Sequence, residues 1–156
     1  MKRIISLIAV VAVLAAVLCA CGSSAKPLGD VFSELKTTYN VTDMVEFKDA
    51  SDLNRFYGIA AEDVKEFAGG INNSGVNMEE IVLILASDKD AAGRIAEALN
   101  NRLTSKLNET KNYNPEQYAI VENATVDTDN NYVSLIISEN CGKMKADYKK
   151  AIGVAK

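Results

Sequence analysis

Three places in the sequence carry residue types at spacings that suit chemistry. Glu79-Glu80, with Glu116 further on, could supply the paired carboxylates of a glycoside hydrolase. Neighbouring residues of a strand point to opposite faces, however, so the glutamates are expected as solvated edge residues, and no catalytic residue is assigned. Asp127-Thr128-Asp129-Asn130-Asn131 has the alternating oxygens that open a calcium loop. It then departs from that loop, with Tyr132 where glycine makes the sharp turn and Ser138 where a bidentate glutamate closes the site. A hairpin turn is the reading adopted, with Asp127, Asp129 and Asn131 kept as the weak candidates for a cation and no other metal ligand expected. Cys141 is the third place. A nucleophilic thiol needs a base or a cationic neighbour, and the chain has no histidine. That absence removes Ser-His-Asp and Cys-His catalysis. Cys141 also falls on an apolar helical stripe and is expected to be buried.

Tyrosine joins a large apolar body to a hydroxyl and suits interfaces. In the stretch Tyr132–Ser138, Val133, Leu135 and Ile137 alternate with Tyr132, Ser134, Ile136 and Ser138. If helices cover only the Val133 side, the other side is a flat mixed surface for a peptide, glycan or protein. Tyr132, Ser134 and Tyr118 are therefore the expected interaction surface. No cofactor motif is present and none is expected.

Several elements must hold these residues. Leu28, Val31, Phe32, Leu35 and Tyr39 recur at helical spacing, with Asp30 as the expected N-cap. Ser51–Tyr57 reads as a short helix closed by Gly58. Val64–Ala68 and Glu80–Ala86 read as strands joined by the turn-forming GGINNSGVN. Ile81–Leu85 is apolar on both faces, which suits the interior of a sheet. Ser87 and Asp90 form an expected capping box. It opens a helix to about Leu107 along the stripe Ala91, Ile95, Leu99, Leu103 and Leu107. Asn114-Pro115 breaks that helix, a strand is expected from Tyr118 to Val126 with Tyr132–Ser138 as its partner, and Asn140 caps a last helix. The expected fold is α+β: helices, then ββαββα, giving one mainly antiparallel four-stranded sheet with helices packed on one face.

The N-terminal stretch is the most specific signal. Lys2 and Arg3 precede an apolar run from Ile4 to Leu18, broken only by Ser6. That is the layout of a secretory signal peptide, and it falls short of the roughly 20 residues of a spanning helix. Leu18-Cys19-Ala20-Cys21 resembles the bacterial lipobox, with a branched residue three places before Cys21 and a small one immediately before it. Cys19 fails the same test, because Leu18 would stand at the small position. The resemblance implies cleavage before Cys21, a diacylglyceryl group on its sulfur and acylation of its amine. Lasting anchorage takes two acyl chains, since one alone binds reversibly. The expected division is a signal peptide over 1–20, a lipidated cysteine and tether over 21–27, and a single domain over 28–156. Fully extended, residues 22–27 reach about 20 Å, which keeps the domain close to the bilayer.

The chain is also similar to an uncharacterised group of lipoproteins, found mostly in Gram-positive anaerobes, known as domain of unknown function 4358. The similarity rests on the lipobox, Phe56-Tyr57-Gly58-Ile59, Asn77-Met78-Glu79-Glu80-Ile81, Tyr113-Asn114-Pro115-Glu116-Gln117-Tyr118 and Val121-Glu122-Asn123-Ala124. It covers nearly the whole domain and implies location and fold, with no activity attached.

Composition narrows the partners. There are 17 Lys and Arg against 21 Asp and Glu, and two of the basic residues lie in the leader. Such an acidic domain does not gather nucleic acid or anionic head groups. The expected protein is a membrane-anchored extracytoplasmic lipoprotein, held to membrane lipid through Cys21, whose domain binds an envelope protein or glycan without catalysis. The alternatives are a carboxylate-dependent envelope hydrolase and a small-ligand or cation receptor.

Overall fold

The computed structural model describes residues 25–154, so Cys21, the lipobox and the leader lie outside the described residues. From Leu28 to Thr38 the chain forms α1, which buries Leu28, Val31, Phe32 and Leu35. Pro27 occupies its N-cap position and no side chain caps it; Asp30 lies within the first turn, where its charge suits the helix dipole. A short strand, β1, follows at Met44–Glu46. Helix α2 spans Ala50–Tyr57, capped by the Asp49 carboxylate, which accepts from the Ser51 amide, and stopped by Gly58 at φ +72°. Only glycine holds that left-handed turn without steric cost.

Strands β2 (Val64–Asn72) and β3 (Glu80–Ala86) form the first hairpin. Helix α3 then runs unbroken from Lys89 to Tyr113, capped by Asp88, which accepts from the Ala91 amide, so the expected Ser87 box is not formed. It passes the expected end at Leu107 because its buried face changes chemistry, continuing from Leu103 to Lys106 and Thr110. Hydrophobic periodicity does not register that continuation.

Residues expected to enter a strand from Tyr118 instead form helix α4, Pro115–Glu122. The Asn114 side chain accepts from the Gln117 amide, and Pro115 sits at the first helical position, where its missing N–H costs nothing. Asn-Pro ends one helix here and begins the next. Strands β4 (Val126–Asp129) and β5 (Tyr132–Ile137) make the second hairpin, and α5 runs over Cys141–Ala151.

The sheet is antiparallel throughout in the order β1-β2-β3-β5-β4, five strands rather than the four expected. β1 is only three residues long, and its exposed Val45 gives no alternating signal. It pairs with the far end of β2, Glu46 opposite Gly70 and Met44 opposite Asn72. Gly69-Gly70, expected to turn the chain, therefore lies inside a strand. A Cβ at Gly69 would stand 2.1 Å from the Ile81 carbonyl oxygen, and one at Gly70 2.7 Å from that of Val45. These glycines let three backbones approach one another closely.

Helices cover both faces of the sheet, not one. Val82, Ile84, Val133, Leu135 and Ile137 pack against Leu53 of α2, Ile95 and Leu99 of α3 and Val121 of α4. Ile81, Leu83 and Ile136 pack on the other side against Leu28 and Phe32 of α1 and Met144 and Tyr148 of α5. The two hairpin units send their following helices to opposite faces. This is the physical reason why β3 is apolar on both sides. No helix among the described residues is long and apolar enough to cross a membrane.

Candidate functional site

Strand alternation separates the two neighbouring glutamates. Glu80 opens β3 on the α3 side and is fully buried, which corrects the expectation of a solvated edge residue. Arg102 Nη2 lies 3.0 Å and Lys106 Nζ 2.9 Å from Glu80 Oε2, both cations projecting from α3 one turn apart. Lys106 is 4 % exposed, and its ammonium also donates to the Met78 carbonyl at 3.2 Å. Burial alone would lower the Arg102 pKa, yet the Glu80 charge and hydrogen bonds raise it above the ordinary value. The Tyr57 hydroxyl is buried beside this group without a well-formed hydrogen bond. Burial first, and the Glu80 charge second, raise its pKa far above the usual tyrosine range. A buried carboxylate whose oxygens are engaged by two cations from one helix is a structural tie between α3 and β3.

This cluster anchors the chain between β2 and β3. Gln117 Oε1 accepts from the Met78 amide at 2.7 Å, Lys106 holds the Met78 carbonyl, and Asn114 Nδ2 donates to the Val76 carbonyl at 3.2 Å. The anchored segment walls a polar hollow of about 270 Å³ lined by Tyr39, Asn40, Asn77, Glu79, Gln117, Ile120, Glu139 and Asn140. Glu79 reaches it from the other side of the same strand start. One of its oxygens accepts from the Ser138 hydroxyl at 3.1 Å and the other from Asn77 Nδ2 at 3.2 Å. Three asparagines, a glutamine and two carboxylates meet there with no lysine or arginine in the lining.

The remaining expected site residues fall elsewhere. Asp127 and Asp129 lie on the edge strand β4 and turn to α5, where Lys149 Nζ stands 3.2 Å from each and Lys145 Nζ 3.3 Å from Asp127. Burial acts to raise the Asp127 pKa, but the Thr125 hydroxyl and the two ammoniums outweigh it and hold the carboxyl below its ordinary value. Asn131 lies in the hairpin turn beside Asn130, whose φ is +57°. Lysines thus occupy the carboxylates that a cation would need, and no group of three or more His, Cys, Asp or Glu among the described residues is placed to hold a metal. Cys141 is half-buried rather than buried, its Sγ 3.6 Å from the Asn123 carbonyl oxygen. Glu116 is exposed in the first turn of α4, remote in role from Glu80.

The expected tyrosine-bearing surface is closed by the second helical layer. Ser134 is 1 % exposed, and Tyr132 packs against the core formed with α1 and α5. Tyr118 sits on α4, half-buried, its hydroxyl donating to Glu122 at 3.0 Å, and shares no face with Tyr132. Sequence reasoning missed the hollow because its lining is drawn from α1's end, the β2–β3 segment, α4 and the start of α5. The local signals were Asn114-Pro115 as a helix start and Lys106 within an otherwise apolar stripe.

Residues 37–138 match the family model described as Domain of unknown function (DUF4358). No curated protein and no solved structure matches the chain.

Proposed function

Since the chain belongs to the DUF4358 family, which brings a domain and no activity, we propose that it is a lipid-anchored extracytoplasmic binding module of the cell envelope. Its leader is residues 1–20, its anchor Cys21, and its tether runs to residue 27. The Leu18-Cys19-Ala20-Cys21 motif after an apolar run supports the anchor. Membrane lipid is then its first partner, and the second is an envelope protein or glycan; an acidic domain is a poor match for nucleic acid.

One observation carries the non-catalytic half of this reading. Two of the carboxylates that could do chemistry are tied up by cations, Glu80 by Arg102 and Lys106 and Asp127 by Lys145 and Lys149, whereas the hollow leaves amides and a carboxylate facing solvent. Binding asks for placed hydrogen-bonding groups, which the hollow has.

The test is mass spectrometry of the N-terminal peptide from protein purified out of its own membrane. The expected product begins at Cys21 and carries a diacylglyceryl group, and Cys21→Ser moves the protein to the soluble fraction. An unmodified Cys21, or a chain still carrying residues 1–20, would sink the anchoring.

A further inference from the structure

We propose that the hollow between Tyr39, Gln117 and Asn140 binds a neutral, hydroxyl-bearing sugar, and that the domain presents it on the end farthest from the tether. The inference deepens the binding-module reading and rests on it for orientation toward the membrane, not for the ligand.

Chemistry selects the ligand class. A primary amide sets a donor beside an acceptor, and a sugar hydroxyl is itself both donor and acceptor, so amides and vicinal hydroxyls pair in complementary fashion. Several of these groups are open. Gln117 uses its carbonyl on the Met78 amide, which leaves its NH₂ to donate. Asn140 holds the N-cap position of α5, where asparagine ordinarily caps, and makes no capping bond. Among the described residues, neither Asn40 nor Glu139 is engaged through its side chain, and the Tyr39 ring adds an apolar surface.

Charge argues against the other classes. No cation lines the hollow, and its two carboxylates would repel an anion. A metal ion is poorly served: calcium takes six to eight oxygens, several of them from carboxylates, both oxygens of Glu79 already accept hydrogen bonds, and Glu139 is the one open carboxylate in the lining. The volume, about 270 Å³, lies just below the usual range for small-molecule pockets, which suits one sugar ring with its neighbours outside. The walls are also held before any ligand arrives, by Lys106, Gln117 and Asn114 on the β2–β3 segment. Preorganisation of this kind lowers the ordering cost of binding.

Position completes the argument. The Lys26 amide donates to the Ala151 carbonyl at 3.1 Å, which ties the tether to the last turn of α5. Glu139 and Asn140 precede the first turn of that helix, and Tyr39 and Asn40 follow the last turn of α1. An 11-residue helix spans about 16 Å, so the hollow lies roughly that far from the tether contact. An anchored domain would turn it away from the bilayer, toward the envelope's glycans.

The experiment titrates full-length protein in mild detergent with chitotetraose, cellotetraose and maltotetraose, and with tetralysine and calcium as the competing classes. At least one tetrasaccharide is expected to bind at about 1 mM or tighter. Asn140→Ala and Glu139→Ala should each weaken it about five- to tenfold, the loss expected for one hydrogen bond, with unchanged denaturation midpoints. Failure of all three sugars, binding untouched by both substitutions, or competition by tetralysine or calcium at the same residues would overturn the proposal. The mass of the Cys21 peptide from the same sample separates the two readings, because sugar binding with an unmodified Cys21 removes the anchor and leaves the site standing.

Discussion

Glu79 and Glu80 stand next to each other in the chain and in different regions of the molecule. Glu80 is sealed beneath α3 with Arg102 and Lys106 on its carboxylate, while Glu79 lines an open hollow and is positioned by Ser138 and Asn77. The difference follows from strand geometry, since consecutive side chains take opposite faces. It separates two uses of charge. The interior group is scaffold, holding α3 to the β2–β3 segment, whereas the hollow lined by Glu79 also holds Asn40, Glu139 and the Gln117 NH₂, which are left to meet a ligand.

The largest expected effect tests the scaffold side. Glu80→Ala leaves two cations, one of them almost fully buried, without their carboxylate, and such a broken buried pair costs about 3–5 kcal/mol. Urea denaturation measures it; a loss under about 1 kcal/mol, typical of exposed pairs, would break the distinction. Gly69→Ala comes next. Its new methyl meets the Ile81 carbonyl rather than a mobile side chain, and overpacking of this kind costs about 1–3 kcal/mol by the same assay.

Asp127 sharpens the comparison at a half-exposed site. Folding lowers its pKa, so its contribution is complete above the ordinary carboxylate pKa of about 3.9 and is lost as pH falls through the lower folded value. Asp127→Asn should be less stable than the parent by under about 1 kcal/mol at pH 7. The two denaturation midpoints should converge as the pH is taken from 5 down to 2; a gap that widens instead would place the carboxylate outside its lysine contacts. Smaller still is Tyr57→Phe, which removes a buried hydroxyl lacking a well-formed bond. It should leave stability unchanged or raise it by up to about 1 kcal/mol, whereas a loss of that size would assign the hydroxyl a working bond to Glu80.

Much of this arrangement could be read from residue patterns. The stripe of α1, the Gly58 stop, the limits of β3 and the first half of α3 all follow from apolar spacing. Ile81–Leu85, apolar on both sides, carried the signal for two helical layers, although the expected fold drew only one. Where apolar patterning ended, legibility ended with it. The second half of α3 buries Lys106, whose charge is met by Glu80 and by the Met78 carbonyl brought from another segment, and Thr110, whose hydroxyl donates back to the Lys106 carbonyl of its own helix. β1 exists because Gly69 and Gly70 admit it, a tertiary effect without a local pattern. The hollow gathers Tyr39, Asn77, Gln117 and Asn140 across 102 positions of the chain, and polar residues so dispersed announce nothing until the fold brings them together.

The division between scaffold and binding surface is tested most directly by urea denaturation of the Glu139→Ala/Asn140→Ala double variant beside Glu80→Ala. Surface positions away from buried networks change stability by no more than about 0.5 kcal/mol. The expected result is a double variant that unfolds with the parent while Glu80→Ala unfolds far earlier. A double variant destabilised as much as Glu80→Ala would make the hollow part of the scaffold and contradict the account.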